Sequence, residues 1–245
     1  MTYRITWQIS ADPHALRVAL TSLPSASPVD PVIVAPLVKF AELGAHGGLS
    51  GRQYDPALAQ VVVQSSVVRS RTQAECQFSL RNISPDAVQM LTGAIAYIDA
   101  KIAPLANVLV ECPRSMIQAN TEPGSGYYRP VPFTVVDERT FQSRGFELQL
   151  EFVNPIPEIL MEQVEYEAYG YWVSAVNVGC FASPALPAEV CAAIPAGDPI
   201  IADRSMILAL EEAVVTETDA SDSLINVLQW VHAHIAPLSR VELYE

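Results

Sequence analysis

Hydrophobic and polar positions recur along the chain with two periods, one of two residues and one of three to four, and these divide it into elements. Tyr3 to Ser10 alternates as a half-buried strand does, and Asp12 followed by Pro13 predicts a helix over His14 to Leu23. A Ser/Pro-rich stretch, the apolar run Val32 to Phe40 and a glycine-rich segment read as an insertion after that helix. Ala59 to Ser70 and Gln73 to Ile83 alternate again, with a short polar turn near Arg71, and predict a hairpin. Ser84, Pro85 and Asp86 start a helix whose apolar positions Val88, Leu91, Ile95, Ile98 and Ile102 share one face. A strand over Asn107 to Cys112 follows.

The second half repeats this order. Phe146 to Val153 alternates as a strand, and Pro155 and Pro157 precede a long helix with an apolar face of Leu160, Val164, Ala168, Trp172 and Ala175. After the proline-rich stretch Ser183 to Pro199 come a strand over Arg204 to Val215, a helix over Asp222 to Ile235 and a closing strand over Arg240 to Tyr244. At a constant offset of 133, Leu91 pairs with Leu224, Ile95 with Leu228, Tyr97 with Trp230 and Val108 with Val241, and the IAPL of Ile102 to Leu105 recurs at Ile235 to Leu238. The middle strand of the second half is hard to see.

The expected fold is therefore α+β, a tandem duplication of a ferredoxin-like βαββαβ unit with antiparallel or mixed sheets and helices packed on one face. The division this predicts is a first repeat over residues 1–120, a linker over 121–140 and a second repeat over 141–245. At 245 residues, half of them hydrophobic, the chain is long enough to bury a large core.

Charge changes the picture because it is not shared between the repeats. Residues 1–120 hold 9 Lys/Arg and 8 Asp/Glu, and residues 121–245 hold 5 and 19, so the net −13 lies in the second half. Such a surface repels phosphates and speeds encounter with a basic partner, which argues against a nucleic-acid footprint. Cys76, Cys112, Cys180 and Cys191 form no CxxC pair, and the N-terminal residues carry no apolar run, which predicts a reduced, cytoplasmic setting. The longest uncharged stretch, Ala168 to Ala188, contains Pro184 and Pro187 and continues a glutamate-rich helix, so it reads as a buried helix end rather than a membrane span.

Candidate chemistry is sparse. Gly44, Gly47, Gly48 and Gly51 enclose His46 and Ser50, with Arg52 directly after them, a segment in which backbone N–H groups and one guanidinium could meet an anion. It matches neither GxGxxG, GxxxxGK[ST] nor GxSxG. His46, Gly47, Gly48, Ser50 and Arg52 are accordingly candidates for a ligand loop, with a surface loop as the simpler reading. His232 and His234 stand two apart on a helix, about 200° around its axis, so they do not converge on one metal ion, and their counterparts Asp99 and Lys101 place them at a solvent face. Glu158, Glu162 and Glu165 share a helical face without an ExxH partner and predict a solvated or protein-docking surface. Tyr127, Tyr128 and Arg129 sit together in the linker and are of types enriched at interface centres.

No catalytic residue, metal site or cofactor emerges from these patterns. The reading that follows is a non-enzymatic acidic interaction module which engages a basic protein through its second half, an inhibitor or immunity protein being one form of it. The alternatives are a small-molecule-binding protein or enzyme with a site between the repeats, and a homo-oligomeric assembly protein using exposed sheet edges.

Overall fold

A computed structural model of the chain describes residues 3–24, 31–49, 61–81, 86–114, 116, 130–139, 145–181, 194–211 and 218–244. Residues of the first half form the sheet strands β1 (Arg4–Ile9), β2 (Ala15–Ser22), β3 (Val61–Ser70), β4 (Gln73–Leu80) and β5 (Leu105–Cys112), and two helices. Helix α1 (Ala35–Ala45) follows a short 3-10 turn, and α2 (Asp86–Tyr97) continues as a π-helical turn, Ile98–Ile102. The strand order is β1-β5-β2-β4-β3, with β1 parallel to β5 and every other neighbour antiparallel.

The second half contains β6 (Thr134–Asp137), β7 (Gly145–Phe152), β8 (Ile194–Pro195), β9 (Ile200–Ala202), β10 (Ser205–Glu211) and β11 (Leu238–Tyr244). Its helices are α3, running through Glu158–Gln163, a π-helical stretch Val164–Tyr169 and Gly170–Asn177, and α4 (Thr218–His234). Its sheet runs β6-β11-β7-β10, with β8 and β9 both pairing with the outer side of β10. β6 is parallel to β11. The two halves are thus similar, each an α+β layer pair with the same strand order, and β8 and β9 share the position that the sequence left blank.

One expectation is corrected. The stretch 14–23 holds the strand β2 (Ala15–Ser22) and not a helix, so each half reads ββαββαβ rather than βαββαβ. The Asp12 carboxylate accepts the His14 amide at 2.8 Å, which closes a turn with the chemistry that also caps a helix. Beyond it, Leu16, Val18 and Leu20 are buried at period two while Arg17 and Ala19 face the open side. The expected linker 121–140 contains β6, which is a strand of the second sheet.

Helix ends show the likeness of the two halves where residue identity does not. Gly47, at φ 80°, and Gly179, at φ 75°, each follow a first helix of their half. The Gly48 amide donates to Leu43 O at 2.9 Å and that of Gly47 to Gly44 O at 3.0 Å, and the same pair of bonds joins Cys180 to Ala175 and Gly179 to Val176. Both are Schellman turns, in which a residue with positive φ lets the last carbonyls of a helix find donors. Both second helices end alike as well. Ala103 donates to Ile98 O and Ala236 to Val231 O, and a side chain of each helix accepts the amide opening the next strand, Asp99 for Leu105 at 2.8 Å and His232 for Leu238 at 3.0 Å.

The halves meet through their helices. α1 packs on α3, and each Schellman turn lies against the second helix of the other half. A Cβ on Gly93 of α2 would stand 2.3 Å from Gly179 O, and one on Gly48 would stand 2.9 Å from Ser223 Oγ of α4. Trp172, fully buried, stacks on Tyr169 and donates its indole N–H to Ala220 O at 3.3 Å, tying α3 to α4. A single connected core runs through both halves.

Candidate functional site

Helix α3 carries the acidic candidates. Pro157 stands at its N-cap with extended backbone, and Met161, Val164, Ala168 and Trp172 bury the inner face. Spacings of four and three put Glu158, Glu162 and Glu165 on the same outer side, where Glu158 and Glu162 are exposed and Glu165 is half-buried. Burial raises the Glu165 carboxyl above its ordinary value, and the negative charges of Asp198 and Glu162 push it further the same way. Asp198, just ahead of β9, therefore belongs to the same surface. None of Glu158, Glu162, Glu165 and Asp198 makes an ion pair among the described residues.

Carboxylates of the first half are treated differently. Arg17 on β2 bridges Glu111 at 2.7 Å and Glu75 at 2.8 Å, and Arg69 reaches the other Glu75 oxygen at 3.2 Å. The Arg17 and Arg69 guanidinium groups hold the Glu75 carboxyl at about 2. Lys39 and Glu42 pair at 2.7 Å along α1.

Two apolar residues accompany the unpaired carboxylates. Ile159 is 64% exposed and Tyr166 68% exposed, one on each side of Glu162 along α3. Ile200 and Ile201 on β9, next to Asp198, are exposed too. Ile159 and Tyr166 are among the most exposed large apolar side chains of the described residues, and they stand amid like charges. Sequence reasoning found the glutamates and missed Ile159, Tyr166 and Asp198. The seven-residue spacing of Ile159 and Tyr166, which puts them near one helical stripe, was the available signal.

The glycine segment has a different environment. His46 caps α1, with its Nδ1 2.8 Å from Glu42 O and its ring 4.7 Å from that of Tyr171 and 4.4 Å from that of Trp230, centroid to centroid. Lys39 lies 5.6 Å from the centre of the Tyr171 ring, and Trp230 also stacks on His234. Burial holds the His46 imidazole below its ordinary value against the opposing pull of the Glu42 carbonyl and the Glu167 and Glu42 charges. Gly47 and Gly48 are buried, and the amides of His46, Gly47 and Gly48 all donate to carbonyls of α1. These are donors that an anion cradle would need, and the helix end already uses them. Gly44 and Gly48 instead allow close approach, to Val61 in the first case and to Leu43 and Ser223 in the second. Ser50 and Arg52, like Tyr127, Tyr128 and Arg129, lie outside the described residues.

His232 and His234 do not share a ligand position. His232 Nδ1 accepts the Leu238 amide, while His234 Nδ1 lies 3.0 Å from Trp230 O, one helical turn back. Among the described residues no group of three or more His, Cys, Asp or Glu side chains is placed to hold a metal ion. Cys76, Cys112 and Cys180 are buried free thiols; burial pushes Cys112 up to about 11 and Cys76 and Cys180 up to about 12. Among the described residues no helix is long and apolar enough to cross a membrane.

No family model matches the chain, and no curated protein does. Among solved structures, the ferredoxin protease FusC in a mutant form, in complex with Arabidopsis ferredoxin, aligns at 10% identity with a TM-score of 0.24, over 96% of this chain and 35% of that one. The chain thus spans about a third of that protein's length. A conserved protein from Enterococcus faecalis V583 aligns at 8% identity and TM-score 0.23, over 94% of this chain and 77% of its own. A predicted insulinase family protease from Yersinia pestis aligns at 12% identity and TM-score 0.19, over 95% and 71%.

Proposed function

We propose that the chain is a non-enzymatic interaction module whose outer α3 surface engages a basic protein. The observation that carries this reading is the exposure of Ile159 and Tyr166 among the unpaired carboxylates of Glu158, Glu162, Glu165 and Asp198. An apolar pair supplies contact area, and the surrounding charge speeds encounter and rejects acidic competitors. The near-neutral first half serves as support, since its carboxylates Glu42, Glu75 and Glu111 already have cationic partners. An inhibitor- or immunity-type role, in which the acidic half covers a cationic site, is the form this reading takes. We keep the ferredoxin-like repeat as our architectural reading, with β1 as an added strand. The antiparallel order β5-β2-β4-β3, with a helix in each crossover, supports it.

The test is co-purification from the native host at low salt, comparing wild type with Tyr166→Ala and with a Glu158→Lys/Glu162→Lys/Glu165→Lys variant. The same partner should be lost from the charge-reversed bait and weakened roughly 30-fold by Tyr166→Ala, as for an aromatic hot spot of about 2 kcal/mol. A partner whose binding is indifferent both to charge reversal and to moderate salt would sink the proposal.

A further inference from the structure

The outermost strand of the first sheet, β3, spans ten residues, VVVQSSVVRS, and among the described residues pairs only with β4. Its free side presents a row of backbone donors and acceptors. The equivalent position in the second sheet is split between β8 and β9, of two and three residues, with Pro195 inside the first. The duplication thus provides a comparison: one copy interrupts this edge, and the other leaves it long and valine-rich.

Two of those valines, Val62 and Val67, are 52% and 39% exposed. Five residues apart in a regular strand, they would point to opposite faces. The register shift between Val63 and Ser65 leaves Gln64 unpaired and restores the phase, so Val62 lies opposite Ser79 and Val67 opposite Glu75, four apart on β4 and on its open face. Val61, Val63, Ser66 and Val68 lie opposite Leu80, Phe78, Cys76 and Ala74, on the helix-covered face.

This pattern is complementary to itself. With a two-fold axis between Gln64 and Ser65, an antiparallel second copy brings Val62 opposite Val67, Val61 opposite Val68 and Val63 opposite Ser66, each pair on a matching face. Charge permits it too, because residues 1–120 are nearly neutral while the acidic halves would point away from the seam. We propose that β3 is the seam of a homodimer in which two five-stranded sheets join edge to edge, burying the Val62 and Val67 side chains against one another.

The full chain is examined by sedimentation equilibrium over a concentration series, with Val62→Lys and Val67→Lys as separate variants. Wild type should approach twice the 26.6 kDa chain mass. Each lysine enters the seam twice, so each should weaken association by roughly tenfold or more while leaving the thermal melt of the monomer in place. Oxidation of a Val62→Cys/Val67→Cys double variant should give a covalent dimer, and neither single substitution should, because each position faces the other and not itself. A strict monomer at high concentration overturns the proposal, as does a dimer that tolerates both lysines and fails to cross-link.

Discussion

Replacing Gly93 by alanine sets two physical effects against each other, and the structure decides the sign. Gly93 lies inside α2, where helix propensity alone favours alanine by about 1 kcal/mol. The added Cβ would stand 2.3 Å from Gly179 O and 3.4 Å from Cys180 O. The obstacle is backbone in a Schellman turn whose amides are already bonded, so it has no rotamer to change. Relief requires α2 and the end of α3 to part by about an ångström, and overpacking of this kind costs about 1–3 kcal/mol. Net destabilisation of up to about 2 kcal/mol is expected, a fall in Tm of several degrees at the upper end for a chain of this size. Urea titration and thermal melting of Gly93→Ala beside Gly170→Ala provide the assay. Gly170 is also helical, but its Cβ would meet only Glu165 O at 3.3 Å, so it should move little or upward. A Gly93→Ala protein more stable than wild type would show that the halves do not pack this way.

Three further outcomes follow from named groups. Glu75→Gln should lower stability by about 2 kcal/mol at pH 7, a shift of the carboxyl from 4.5 to about 2 discounted for the exposure of both arginines. Because that carboxyl is depressed on folding, its contribution is complete above pH 4.5 and disappears towards pH 2, so the gap between the two proteins should narrow across that window. A gap constant from pH 7 to pH 3 would mean that the ion pairs are not its cause. Asp99→Ala and His232→Ala should each lose about 1 kcal/mol by denaturant titration, whereas His232→Asp, which copies the other repeat, should retain most of it. Equal losses for His232→Ala and His232→Asp would refute the equivalence of the two caps.

Much of the fold was legible because period and identity coincided in the right places. The hairpin β3–β4, helices α2, α3 and α4, and the strands β5, β7, β10 and β11 all follow from alternation or three-four spacing. β2 was misread because Asp12-Pro13 is a turn signal as well as a helix start, and an aspartate that accepts an amide two residues on satisfies either. α1 and α3 were not seen as equivalents because they share little sequence. What they share is a backbone requirement, a positive φ one residue past the cap, and Gly47 and Gly179 meet it. The acidic side of α3 was readable from glutamate spacing alone. The exposure of Ile159 and Tyr166 was not, since a helical stripe is apolar in sequence whether or not anything covers it, and the tertiary fold alone decides which stripe faces out.

The reciprocal seating of each Schellman turn on the opposite half's second helix makes the two halves depend on each other. Two contacts exchanged by a rotation are what a two-fold axis between identical subunits produces. Each half thus covers helix surface that the other would otherwise leave to water, as the subunits of an obligate dimer do for each other. Neither repeat, expressed alone, should be soluble as a monomer.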